Sequence, residues 1–195
     1  MKTNKLPIGV YKRLERTIYE ILPSMKNPRP NEIIEEIYKT VDFYYKKAVS
    51  VDATCKKGCS WCCRIPVSVS AIEVQYITDK TGFKATPLKK GFDWSREPDK
   101  TKCPFLVNDQ CGIYEHRPFN CRIFASLDDP KNCVDGDTYH QIYTWESNEG
   151  LKLFRKILDD ISEQYECAAI GDIRYWFGIG AKVQENQIIF IDDCD

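Results

Sequence analysis

Apolar side chains recur at helical spacing in three stretches of this 195-residue chain. From Ile8 to Met25, the residues Tyr11, Leu14, Ile18 and Ile21 share one face, with lysines and arginines between them. That is the period of an amphipathic helix. Pro23 and the segment Asn27-Pro28-Arg29-Pro30 stop it. Asn31 has the chemistry of an N-cap for a second helix, with Ile33, Ile37, Val41, Tyr44 and Ala48 on one side. Far downstream, Phe154, Ile157, Leu158, Ile161 and Tyr165 predict a third helix over 147–167.

Between these helices the pattern breaks into short pieces. Arg64 to Val69 reads as a brief extended segment, and Ser70-Ala71-Ile72-Glu73 is a capping box that opens a helix to Thr81, with Gly82 ending it. Residues 84–102 are polar with two prolines and read as a surface loop. Cys103–Val107 and Cys111–Tyr114 flank Asn108-Asp109-Gln110, which predicts a small hairpin with a three-residue turn and Tyr114 on its second strand. The Arg117-Pro118 step suits a helix start, with Cys121 and Arg122 one turn on. Residues 128–138 form a turn-rich loop holding Cys133, and Gln187–Ile191 fits a terminal strand.

The expected fold class is therefore α+β and predominantly helical, with helices packed around a cysteine-rich metal-binding core that includes a small β-hairpin. A chain of this length suits a single domain over 1–195: N-terminal helices to 50, a cysteine core over 51–135, and a C-terminal helix and strand over 136–195. No internal repeat or low-complexity tract interrupts it.

Charge narrows the partners. Lys+Arg 28 against Asp+Glu 29 leaves a net charge of -1, so no overall field attracts nucleic acid or an anionic membrane. Four tryptophans and eleven tyrosines offer stacking faces, but no basic stripe accompanies them. No apolar run reaches the roughly 20 residues of a membrane span. The N-terminus shows no signal-peptide core, and ten cysteines without an export signal point to reduced thiols and a cytoplasmic protein.

Those cysteines carry the chemistry. Cys55, Cys59, Cys62 and Cys63 lie within nine residues, and Cys103, Cys111, Cys121 and Cys133 follow. Thiolates are the natural ligands of zinc and of iron–sulfur clusters, and short spacings let sulfurs converge at little cost in chain entropy. Adjacent side chains point apart, so Cys62 and Cys63 are expected either to serve two sites or to divide into a ligand and a packed thiol. Two sites of four thiolates account for every sulfur; one cluster plus four other thiols is the competing count. Cys167 and Cys194 stand alone and read as structural. Arg117 and Arg122 flank Cys121 as candidate cofactor- or anion-binding residues, the alternative being that they hydrogen-bond ligand sulfurs or pair with Glu115. His116 and His140 could each supply a metal nitrogen, but with eight cysteines at hand they read as loop or surface residues; no Cys–His nucleophile stands out, and Phe177-Gly178-Ile179-Gly180 is a weak binding-loop signal.

The two cysteine blocks resemble the CxxCxxCC cysteine-cluster family, also called YkgJ-like, described as zinc- or iron-chelating proteins. The resemblance rests on Cys55, Cys59, Cys62 and Cys63, then on Cys103-Pro104-Phe105-Leu106, Cys111, Ile113-Tyr114-Glu115, Arg117-Pro118, Cys121-Arg122 and Cys133. Cys55 and Cys59 are one residue further apart than the family's short name describes. The resemblance implies a metal ion as partner, and it is similar in the cysteine cluster to flagellin lysine N-methylases. The first expectation is thus a metal-binding protein holding zinc or an iron–sulfur cluster, with a structural site and a protein partner. The alternatives are an iron–sulfur redox protein or an S-adenosylmethionine-dependent protein methyltransferase. Cys55, Cys59 and Cys62 also resemble the motif of radical S-adenosylmethionine enzymes, but Cys63 departs from it and no repeating strand–helix units follow.

Overall fold

The computed structural model describes residues 8–26, 28–86, 102–134, 139–164 and 169–178. Helix α1 (Ile8–Arg16) passes through a wider π-helical turn (Thr17–Ile21) into a last turn, Leu22–Ser24. The widening falls where Pro23 lacks an N–H and its ring crowds the carbonyl four residues back. Helix α2 (Pro30–Tyr44) starts earlier than an Asn31 cap would place it. Pro30 is its first residue, since its fixed φ suits a position whose N–H would be unpaired anyway. Arg29 occupies the cap, and its N–H donates to Glu32 Oε2 at 2.9 Å. A π-helical turn, Tyr45–Val49, extends α2.

Helix α2 is the central post. Ile34, Ile37, Tyr38, Val41 and Tyr44 are buried along it, so the deepest stripe begins at Ile34 and Ile33 sits at its margin. It packs against α1, α3 (Ala71–Thr81), α4 (Phe119–Ile123) and α5 (Glu149–Gln164). From α5 come Leu151, Phe154, Leu158 and Ile161.

Helix α3 forms as the capping box predicts, and Gly82 ends it with φ 72°, a left-handed conformation that glycine adopts without penalty. Its Glu73 does more than cap. The carboxylate is fully buried and accepts from Ser70 N–H (3.1 Å), Ser70 Oγ–H (2.9 Å), Tyr38 O–H (2.8 Å) and Phe119 N–H (2.7 Å). One side chain therefore joins α2, α3 and α4.

Three antiparallel strand pairs close the described fold. β1 (Ser68–Ser70) pairs with β6 (Ile170–Asp172), with Val69 opposite Gly171. β2 (Leu106–Val107) and β3 (Gln110–Cys111) form the expected hairpin, but its turn is two residues long. Asn108 (φ 49°) and Asp109 (φ 56°) both take positive φ, the geometry that matches strand twist in a two-residue hairpin. Gln110 thus belongs to the strand. β4 (Ala125–Ser126) pairs with β5 (Ile142–Tyr143). Helix α6 (Ile173–Phe177) follows β6 directly, with Trp176 Nε1 donating to Val69 O at 3.1 Å. The fold is thus mostly helical with small antiparallel strand pairs. The sequence-based strand at 187–191, Cys167, Cys194, Gly180 and most of the loop over 84–102 lie outside the described residues.

Candidate metal centre

The cysteine turn is built by local rules. Gly58 takes φ 96°, a conformation L side chains rarely adopt, and lets Cys59 N–H reach Lys56 O at 2.9 Å. A 3₁₀ turn, Trp61–Arg64, then holds the adjacent pair Cys62-Cys63, with Cys63 N–H donating to Ser60 O. Two bonds dock the hairpin here. Cys103 N–H donates to Cys63 O at 2.7 Å, and Arg64 Nη2 reaches Asp109 Oδ1 at 3.0 Å from the hairpin turn.

A cavity of about 30 Å³ opens where these pieces meet, lined by Cys59, Cys62, Cys63, Cys103, Cys111 and Cys121 among others. That is the space of a single water or ion. The Cys63 thiol is the hub, hydrogen-bonded to the sulfurs of Cys103, Cys111 and Cys62. Its own ionisation is pushed far up because its one proton is within reach of all three sulfurs, going to one at a time. In turn it lowers Cys62 and Cys111 to about 7, and lowers Cys103 as well. Arg117 helps at Cys62 and Cys111 by its charge. Cys121 is pushed up, first by burial and then by the sulfurs of Cys62 and Cys103. Cys62 and Cys63 are thus hydrogen-bonded to each other, while Cys62 also acts on Cys55 and Cys133.

Cys55 and Cys133 lie on the other side of the cysteine turn. Cys55 Sγ accepts Ser126 N–H at 3.1 Å, and Thr54 N–H donates to Ser126 O at 2.9 Å, fixing the start of the turn against β4. Burial raises the Cys55 thiol, and its hydrogen bond with Cys59 adds to this. Cys133 sits in a second 3₁₀ turn (Pro130–Val134) that packs on Trp61–Arg64. Its thiol is raised to about 12 by burial and by the sulfurs of Cys55, Cys62 and Cys59.

The two arginines part company. Arg117 lines the cavity, stacks over the Tyr114 ring at 3.8 Å and donates from Nε to Tyr114 O at 3.0 Å. Arg122 is 4% exposed and turns toward α2. Its Nη1 donates to Asp42 Oδ2 (2.7 Å), its Nε to Arg117 O (2.7 Å) and its Nη2 to Glu115 O (2.5 Å), above the Tyr38 ring at 4.1 Å. Arg122 thus anchors the turn that carries Cys121. Tyr114 lies in a 3₁₀ turn (Tyr114–His116) beside the cavity, beyond the hairpin strand on which the pattern placed it.

His140, a candidate metal nitrogen that eight available cysteines rank as a loop or surface residue, is enclosed beside Cys133. Its Nε2 lies 3.2 Å from Cys133 Sγ and its Nδ1 lies 2.6 Å from Asp128 Oδ1. The spacing of seven between Cys133 and His140 was the one available signal.

Gathered thiols are the donor set of a chelating site, yet among the described residues no group of three or more His, Cys, Asp or Glu already stands as a metal cage. The middle of the chain is thus a thiol-rich module. Residues 54–148 match the model of the CxxCxxCC family, a “putative zinc- or iron-chelating domain”. No curated protein and no solved structure matches the chain. Among the described residues no helix is long and apolar enough to cross a membrane.

The lowered thiols give a pH test. Cys62 and Cys111 fall from the usual 9.0 to about 7 in the folded chain. Their thiolates therefore add stability that is complete above the unfolded value and is lost as pH falls through the folded one. In reduced, chelator-treated protein, thiolate absorbance is expected to rise through a midpoint of about 7. Replacing Cys63 with alanine removes the shared donor and moves that midpoint toward the ordinary thiol value.

Proposed function

We propose that this chain chelates a metal ion, zinc foremost, at a one-ion site built from Cys62, Cys63, Cys103 and Cys111, with Cys121 beside them. The observation that carries this reading is the Cys63 thiol within hydrogen-bond reach of three other sulfurs. Four thiolates about 2.3 Å from one tetrahedral ion stand roughly 3.8 Å apart, a spacing that thiols in hydrogen-bond contact already approach. The ligands of a four-iron cluster bind separate irons and stand further apart. The about 30 Å³ of open space also suits one ion. Arg117 at the rim offsets the charge of the thiolates and takes the cofactor-side role; the Arg122 guanidinium is committed to Asp42 and two carbonyls.

The role this supports is structural. The bound ion ties the turn at 55–63, which buries no apolar side chain of its own, to the hairpin and to α4, so binding energy serves as folding energy. Anaerobic purification followed by metal analysis and an absorption spectrum tests it. The expected protein is colourless and carries zinc, and Cys111→Ser lowers its zinc content and its melting temperature together. A brown protein with labile sulfide overturns the single-ion reading in favour of a cluster. Metal-free protein from metal-replete cells overturns chelation altogether.

A further inference from the structure

We infer that Cys55, Cys59, Cys133 and His140 form a second metal site, of three thiolates and one imidazole, in which Asp128 holds the histidine. The chain from carboxylate to imidazole to sulfur is continuous: Asp128 Oδ1 to His140 Nδ1 at 2.6 Å, and His140 Nε2 to Cys133 Sγ at 3.2 Å. Histidines that bind metals characteristically give one ring nitrogen to a carboxylate, which fixes the tautomer and turns the other nitrogen to the ion. Here the carboxylate is itself fixed. Gln141 N–H donates to Asp128 Oδ2 at 2.7 Å, and Ser126 Oγ–H donates to Asp128 O at 2.9 Å. His140 is enclosed, with 13% of its side chain exposed.

The three sulfurs gather at the same place. Ser126, which binds Asp128 through its hydroxyl, also gives its N–H to Cys55 Sγ at 3.1 Å. Cys55 is hydrogen-bonded to Cys59, and Cys55, Cys62 and Cys59 all act electrostatically on Cys133; of these Cys62 is already engaged with Cys63. The packing of Pro130–Val134 on Trp61–Arg64 brings these groups together from opposite ends of the domain. One nitrogen donor thus replaces the fourth thiolate that counting cysteines demands, and Cys121 stays with the first group.

A Cys–His–Asp sequence of contacts is also the layout of a nucleophilic triad. The thiol argues against it. A reactive cysteine is partly exposed with a lowered pKa, whereas Cys133 is buried and its thiol is raised by the sulfurs around it.

The inference rests on the reading of the chain as a thiolate chelator but concerns other ligands, so the two separate experimentally. Wild type, Cys111→Ser, His140→Ala, His140→Cys and Asp128→Asn are purified anaerobically, checked for fold by circular dichroism, and measured for bound zinc and for the ligand-field spectrum of the cobalt(II) form. Wild type is expected to hold two ions, and His140→Ala and Cys111→Ser one each. His140→Cys restores the second ion with a spectrum of four sulfurs. Asp128→Asn weakens the second site by about 10- to 100-fold. Full metal content in His140→Ala overturns the inference, as does a wild type with one ion that Cys111→Ser abolishes; the latter leaves the first site standing. Rapid alkylation of Cys133 by iodoacetamide in the zinc-loaded protein overturns it in favour of the nucleophile.

Discussion

Glu73→Ala is expected to destabilise the fold by about 4 kcal/mol, because a buried donor without an acceptor costs about 1–3 kcal/mol. The substitution strands three backbone or hydroxyl donors at once: Phe119 N–H, Tyr38 O–H and Ser70 N–H. The Ser70 hydroxyl, which can rotate, adds little. Glu73→Gln keeps one carbonyl oxygen and is expected to lose about half as much. In a domain of this size, each kcal/mol moves the melting temperature by about 2–4 °C. Urea unfolding of the two variants and of Tyr38→Phe is the check. A loss under 1 kcal/mol for Glu73→Ala would show that the carboxylate is not the joint described here. Phe119 opens the helix that carries Cys121, so metal content is expected to fall along with stability.

Arg122→Leu is expected to cost about 3 kcal/mol by the same logic applied to acceptors. Its guanidinium closes the turn over 115–122 by bonding the carbonyls of Glu115 and Arg117, and ties it to Asp42 on α2. Asp42 is half exposed and recovers water, so little of the loss comes from the ion pair itself. Arg122→Lys keeps the charge but has no planar fork to serve two carbonyls and a carboxylate together. It is expected to recover less than half of the lost stability. If lysine restores it fully, the charge rather than the fork is what matters. Denaturant midpoints of both variants decide this, and the cobalt(II) spectrum is expected to stay that of the wild type wherever the variants remain folded.

The legible parts of the chain were those whose causes are local. The capping box at Ser70, the left-handed Gly82, the face of α2 and the hairpin around Asn108-Asp109 each depend on neighbours within a few residues, and each was found. The start of α2 was misread because Pro30 can either break a helix or begin one, and only the turn before it decides. β1 was legible only as the end of the extended piece over 64–69, and β4, β5, β6 and both pairings were invisible because strands of two or three residues carry no period and their partners lie far along the chain. The cysteines announced a chelating module by number and spacing. Their grouping did not follow from spacing, since Cys63 meets Cys103 and Cys111 through tertiary packing. The joining role of Glu73 and the enclosure of His140 beside Cys133 were not legible for a shared reason: a capping glutamate and a loop histidine look the same in sequence whether or not distant groups close on them.

The pairing of β1 with β6 sets an order of assembly. Val67 N–H is held by Asp172, Ile173 N–H by Val67 O, and the Arg174 guanidinium by Ile65 O, while Ile173 itself lines the sulfur cavity. The wall behind Cys63 is therefore supplied by a stretch synthesised about a hundred residues after it. During translation the thiols emerge well before this wall does, so the ribosome-bound chain exposes them. A nascent chain stalled before residue 169 would present its sulfurs to oxidants and to competing ions. The closing of one short strand pair thus puts Ile173 into the cavity's lining only once the last described stretch of chain is made.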